Sequence, residues 1–231
     1  MNDAPSSQPR HRLYGRAAGK PLSKRQQALI DDFLPTLAIP ETAPGALAPI
    51  SLFKPTTHEA WLEIGFGGGE HLAGQAAKNP DVGIIGVEPF IDGVAKLLTA
   101  LEEGGTSNVL VRRGDARDLV AQFADASLDR VFILFPDPWP KTRHRKRRLV
   151  QPDFVAELAR VMKPGAKLRF ATDWADYANR ALEAVIRDGR FTWQANRADD
   201  WRMPPADHVT TRYQEKRLGD CAPVFLDFVR N

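Results

Sequence analysis

The chain has 231 residues, 43% of them hydrophobic and 26% charged, with a formal net charge of +3, a composition ordinary for a soluble globular protein of one domain with extensions. No apolar run approaches the roughly 18 residues of a membrane helix, and the single cysteine, Cys221, excludes an intramolecular disulfide framework. The five scattered histidines lack paired zinc-ligand spacing, so neither a membrane anchor nor a metal centre is expected, and the cytoplasm is the expected compartment. The small net charge conceals two basic patches. Residues 1–27 hold six Lys or Arg against one Asp, and residues 141–148 hold six Lys or Arg. The remainder is acidic. An acidic body with two basic patches points to a polyanion bound at defined places, against the plainer reading of a solvated tail and a solvated loop.

Residues 1–27 read as a basic, mobile N-terminal extension, poor in apolar residues and rich in Pro, Ser and Gly; residues 28–231 read as the folded domain. "LSKRQQALIDDFLP" predicts a short helix with Ser23 as N-cap and Pro35 near its end, and residues 35–57 read as a Pro-rich loop. From Glu59 a regular alternation begins. "EAWLEIG", "GIIGVEP", "NVLVRRGDA", "LDRVFILFPDPW" and "AKLRFATD" are predicted strands. Between them lie predicted helices in "GEHLAGQAAKNP", "FIDGVAKLLTALEEGG", "DARDLVAQF" and "QPDFVAELARVMKPG", followed by "WADYANRALEAVIRDG". The late "APVFLDFVR" alternates as a strand. Strands alternating with helices imply parallel pairing, right-handed crossovers and helices on both faces: a doubly wound, Rossmann-like sheet.

Such sheets bind ligands outside the carboxyl ends of their strands. That rule selects Gly65 to Gly69, Glu88, Asp115, Asp137 and Asp173, each just after a predicted strand. Asp115 and Asp173 are also placed to cap helices. "EIGFGGGE" follows a strand and opens a helix, so Gly65, Gly67 and Gly69 permit a tight turn and close approach of a ligand. Glu88 stands where an acidic residue accepts the hydrogens of a ribose diol. Glu70 occupies the last position of a dinucleotide fingerprint, where its charge suits a pyrophosphate poorly, and no P-loop is present. A cofactor with no phosphate and a positive centre suits this rim, with Glu63 near that centre: S-adenosylmethionine has both properties.

With these residues in view the chain resembles the bacterial tRNA (guanine-N7-)-methyltransferases of the TrmB family. The resemblance runs from "RLYGRAAGKPLS" through "EIGFGGGE", "GVEPF", "GDA" and "FPDPWPKTRHRKRRLV" to "ATDWADYA" and "TRYQEK". It implies a mostly parallel seven-stranded class I methyltransferase sheet, S-adenosylmethionine as cofactor and tRNA as partner, with the target guanine in the variable loop, at position 46. It implies cofactor contacts at Glu63, Glu88, Asp115 and Asp137. It places Lys141, Asp173 and the segment Thr211, Arg212, Tyr213 and Gln214 at the substrate. The run Arg143, His144, Arg145, Lys146, Arg147 and Arg148 would face the tRNA. Two positions depart from the family pattern: Pro140 stands where His is frequent, and Gln214, followed by Glu215, stands where Glu is usual. Which of those two replaces the family Glu is open, and the stretch to Leu218-Gly219 looks shortened. No obligatory protein partner is inferred, and monomer and homodimer both stand.

Guanine N7 carries a lone pair and no proton, so its attack on a sulfonium methyl needs no base to create the nucleophile. Asp137, restricted by Pro136 and Pro138, is then an orienter and charge stabiliser. A Pro-rich turn with Trp139 packed as core is the alternative. Asp173 can accept both N1–H and N2–H₂ of guanine, Lys141 can meet phosphate or O6, and Trp139 or Tyr213 can stack on the base. The basic run should hold phosphate rather than read sequence. Rival readings are an enzyme methylating an exocyclic amine, whose Asp/Asn-Pro-Pro-aromatic turn differs by Trp139 for the second Pro; a noncatalytic RNA-binding protein on the same scaffold; and, more distantly, a NAD-dependent dehydrogenase.

Overall fold

The computed structural model describes residues 21–231; most of the expected N-terminal extension lies outside the described residues. Seven strands form one sheet: β1 (Glu59–Ile64), β2 (Val82–Glu88), β3 (Val109–Arg113), β4 (Leu128–Leu134), β5 (Met162–Thr172), β6 (Phe191–Trp193) and β7 (Val224–Arg230). Their order is β3-β2-β1-β4-β5-β7-β6. β1 runs parallel to β2 and β4, β2 to β3, and β4 to β5, whereas β7 is antiparallel to both neighbours. The topological switch falls between β1 and β4, which fixes where a ligand cleft opens.

The central strands are apolar on both faces because helices cover both. Leu62, Ile85, Val131 and Phe170 point into one core with α4 (Ala116–Gln122), α5 (Pro152–Val161) and α6 (Ala175–Asp188). The alternate residues Trp61, Ile84 and Phe132 point into the other, the period-2 consequence of the pleat. That second core is closed by α2 (Glu70–Lys78) and α3 (Ile91–Gly104) through Leu72, Val94, Leu97 and Leu98. On α6 the buried residues Tyr177, Ala181 and Val185 recur every four positions and form the stripe that seats the helix.

The predicted elements are present, with differences in several places. The expected helix near Ser23 is shorter: α1 (Lys24–Ala28) carries a Ser23–Gln26 capping box, then passes into a π turn and a 3-10 turn. Leu29 and Leu37 anchor this path in the second core, and Arg25 pairs with Glu102 and Glu103 on α3. Residues 35–57, read as loop, include a 3-10 turn at Pro49–Leu52 and bridges from Ala38 to Val111 and Leu47 to Phe123. The fifth strand starts at Met162 rather than Ala166. The Pro164-Gly165 stop signal instead marks a register shift against β4, with Gly165 at φ +83°. β6 has three residues, too few for a periodic signal.

Two short helices, α7 (Asp199–Arg202) and α8 (Arg212–Lys216), flank a loop whose Asp207 is clasped by Arg130 at 2.6 Å and Arg169 at 2.7 Å. Burial pushes the Asp207 carboxyl up, but the two guanidinium groups outweigh it and hold the pKa at about 2. A depressed folded pKa gives stability that is present above the ordinary value of 3.8 and is lost as pH falls through about 2. Asp207→Ala is expected to cost about 1–2 kcal/mol at pH 7, less than a fully buried charged pair because the carboxylate is partly exposed. Urea midpoints measured against pH check this, and the variant's profile should be flatter between those two pH values.

Candidate active site at the strand ends

A cavity of about 600 Å³ opens at the carboxyl ends of β1, β2, β3 and β4. Gly65, Gly67 and Gly69 all have left-handed φ angles, of +70°, +55° and +81°. These angles need glycine and turn the chain sharply from β1 into α2. Gly65 and Gly67 line the cavity; Gly69 instead caps α2 and packs its backbone close to Leu97. Glu88, 4% exposed at the end of β2, accepts the Gly67 amide through Oε2 and the Phe90 amide through Oε1, each at 3.0 Å. It thus ties the glycine loop to the second strand end and keeps lone pairs for a ligand. Burial pushes its pKa up, the two amides pull it back, and the charge of Asp137 adds to the rise. Glu63 is buried, with Oε2 2.7 Å from His71 Nδ1. Asp115 caps α4 as expected and chelates Arg117. Glu63 and Asp115 both reach the cavity.

Asp137 stands on the cavity wall in a strained loop. Phe135 at φ +49° and Trp139 at φ +40° are both left-handed without being glycine, and each costs of order 1–3 kcal/mol that the surroundings must offset. Phe135 donates its amide to Ala171 at 2.7 Å and packs edge-on against Phe225. Trp139 lies beneath the Arg147 guanidinium, 5.0 Å from ring centre, and beside His144. Trp139 therefore lines the cavity rather than filling the core. The Asp137 carboxylate opens into the cavity, but surrounding protein displaces enough water to push its pKa up.

The basic run folds as a 3-10 turn over Thr142–Arg147. Lys141, Arg143 and Lys146 are exposed, and His144, Arg145 and Arg147 are half-buried. Slight burial and the nearby Arg147, Arg143 and Lys141 push the His144 pKa down, so the imidazole adds little charge at neutral pH. Arg148 departs from the rest of the run. The sequence puts it with the phosphate-gripping residues, yet it is 4% exposed, bonded to the Pro138 carbonyl and Asp176, and stacked on Tyr177. A guanidinium so enclosed has no face left for phosphate.

Thr211, Arg212 and Tyr213 line the cavity from the opposite side, with Thr211 capping α8. Gln214 turns inward, its Oε1 2.8 Å from His208 Nε2, while Glu215 faces solvent. Asp173 does not cap α6; Asp220 does, accepting the Ala175 amide. Asp173 is buried and does not line the cavity; it accepts Gly219 N–H at 2.9 Å, with the Tyr213 hydroxyl at 3.5 Å. Lys96, Lys216 and Leu218 also line the cavity and were missed. Lys96 reads as an ordinary exposed helix residue, and the other two fall in a stretch without periodicity. The Arg212–Glu70 pair, at 3.6 Å, was also not predicted.

Residues 57–223 match the family described as "Putative methyltransferase". The chain is 60% identical over 219 residues to a Caulobacter sp. (strain K31) protein named tRNA (guanine-N(7)-)-methyltransferase, covering 95% of each. It is 57% identical to a Hyphomonas neptunium protein of the same name, covering 94% of this chain and 98% of that one. Among solved structures, 16S rRNA methyltransferase KamB superposes with a TM-score of 0.54 at 16% identity, over 76% of this chain and 90% of that one, a likeness of fold alone. With its seven-stranded sheet, its glycine loop and its carboxylates at the strand ends, the chain belongs to the tRNA (guanine-N(7)-)-methyltransferase family.

Proposed function

We propose that this protein transfers a methyl group from S-adenosylmethionine to N7 of a guanine in tRNA, at position 46 of the variable loop. The observation that carries the reading is the placement of Asp137 on the cavity wall, four residues before the exposed Lys141 that opens the basic run. The family and the lone, free Cys221 are consistent with a cytoplasmic protein, where thiols stay reduced.

The cavity suits the cofactor. Glu70 lies over Gly68 at the start of α2, where a pyrophosphate would meet like charge. Glu88 is free to accept a ribose diol with its remaining lone pairs. Phe90, Ala116 and Leu149 offer apolar wall for an adenine. When bound, S-adenosylmethionine supplies an electrophilic methyl on a positively charged sulfur. Asp137, fixed in its loop, would then face the path along which positive charge passes toward the purine and favour the cation there. No residue has to remove a proton from N7. Tyr213 and Trp139 are the stacking surfaces at the cavity, and Asp173, enclosed by Gly219 and Tyr213, meets the guanine Watson–Crick edge only where those two residues move aside on substrate binding. The exposed Lys141, Arg143 and Lys146 would hold the phosphates.

Label transfer from methyl-labelled S-adenosylmethionine to tRNA, with and without the guanine at position 46, tests the reading. Incorporation should disappear with that guanine; equal labelling of both would refute the assigned position. The phosphate role has its own expected outcome. Lys141→Ala with Arg143→Ala should weaken tRNA binding and reduce the slope of log affinity against log salt by about one to two units. An unchanged slope would remove these residues from the tRNA contact.

A further inference from the structure

We infer that Arg148 is a positioning residue for Asp137, the member of the basic run that joins the tRNA-holding turn to the loop carrying the carboxylate. The inference rests on the proposed function, since it assigns Arg148 a part in that reaction. Its ground is geometric. Arg148 Nε donates to the Pro138 carbonyl at 2.7 Å, one residue beyond Asp137. Its Nη1 donates to Asp176 at 2.6 Å, and its guanidinium lies 4.7 Å from the centre of the Tyr177 ring. The side chain is 2% exposed.

Pro138 lies between Asp137 and Trp139, and the loop is left-handed at Phe135 and Trp139. A loop strained at both ends relaxes unless it is held. Trp139 is held by its ring contacts with Arg147 and His144, and Phe135 by the hydrogen bond that its N–H donates to Ala171 on β5. The Arg148 bond is made directly to the backbone between those two points. The other end of the link is equally fixed. Asp176 sits in the first turn of α6, where a carboxylate is favoured. It also receives Arg145 at 3.1 Å and Arg180 at 3.2 Å. Arg145 belongs to the 3-10 turn. One carboxylate on a rigid helix therefore registers both the basic turn and the Asp137 loop.

A lysine in place of Arg148 keeps the charge but cannot span two acceptors with a planar fork and stack on Tyr177. In Arg148→Lys we expect the single-turnover rate with tRNA to fall about 10- to 100-fold, the scale of a small misplacement near reacting atoms. Affinity for tRNA and its salt slope should stay within twofold of the parent. A purely structural role would lower Tm yet leave the pH profile unchanged below it. Here the acid limb of the rate profile should move to lower pH, because a loosened loop lets water return to Asp137. Glu88, the cavity carboxylate that feels the charge of Asp137, stays in place. Asp176→Asn should move the rate and the limb in the same direction by less, and decides the matter if the Arg148 variants fail to fold. Parent-like rate and limb in Arg148→Lys, or in Asp176→Asn where that variant decides, would overturn the inference alone. So would a flattened salt slope in Arg148→Gln, which removes the charge; that result would return Arg148 to phosphate. A parent protein that methylates no tRNA would overturn the proposed function and this inference together.

Discussion

Asp137→Ala is expected to lower single-turnover methyl transfer by about 10²- to 10³-fold, the range seen when one preorganised electrostatic group is removed from a reacting centre. The fold should be retained. The carboxylate sits where surrounding protein displaces water and pushes its pKa up, so the folded state disfavours the ionised form. For an acid, a raised folded pKa means that ionisation reduces stability as pH rises past the ordinary value. Neutral replacements should therefore leave Tm at pH 7 unchanged or slightly higher, which separates a catalytic defect from a folding defect. Asp137→Asn keeps the shape and loses the charge. If orientation alone matters it will retain most of the rate; if charge matters, as argued above, it will fall near the Ala variant. The parent enzyme's rate should decline as pH falls through the raised Asp137 pKa, giving an acid limb above the usual carboxylate range. Turnover close to the parent's in the Ala variant would remove Asp137 from the mechanism.

Gly93→Ala is the second large effect. By helix propensity alone alanine in α3 should gain about 1 kcal/mol over glycine. The structure opposes that gain, because a Cβ at Gly93 would lie inside contact distance of the Gly67 carbonyl and 3.1 Å from Glu88 Cγ. Both groups belong to the cavity, and the Gly67 backbone cannot give without breaking the hydrogen bond that its N–H donates to Glu88. We expect affinity for S-adenosylmethionine to fall at least about tenfold and Tm not to rise, overpacking costs being about 1–3 kcal/mol. Calorimetric titration with S-adenosylmethionine checks this. Undiminished affinity with a raised Tm would show that the glycine loop is not seated on α3 as described.

The parallel strands and the longer helices were legible because β1, β2 and β4 are largely apolar runs ended by glycine or proline, and the longer helices repeat every three to four residues. The carboxylates at the strand ends followed from that register. What stayed illegible depended on where side chains return after long excursions. Arg148 looks identical in sequence to its five basic companions, and its burial follows only from the arrival of Asp176 and Tyr177 beneath it. Asp173 reads as a helix cap, yet Asp220, forty-five residues from Ala175 along the chain, takes that place. Gly93 reads as a flaw in a helix, and its purpose lies in a loop on another element. The Gln214–Glu215 question is of the same kind: His208 turns Gln214 inward, and no local pattern announces it.

Nuclease digestion of tRNA methylated by the purified protein, followed by mass spectrometry of the nucleosides, tests the account most directly. The arrangement around Asp137 provides for a nucleophile that carries no proton, so the product should be N7-methylguanosine alone. A methyl group found on an exocyclic amine, of guanine or of adenine, would contradict it.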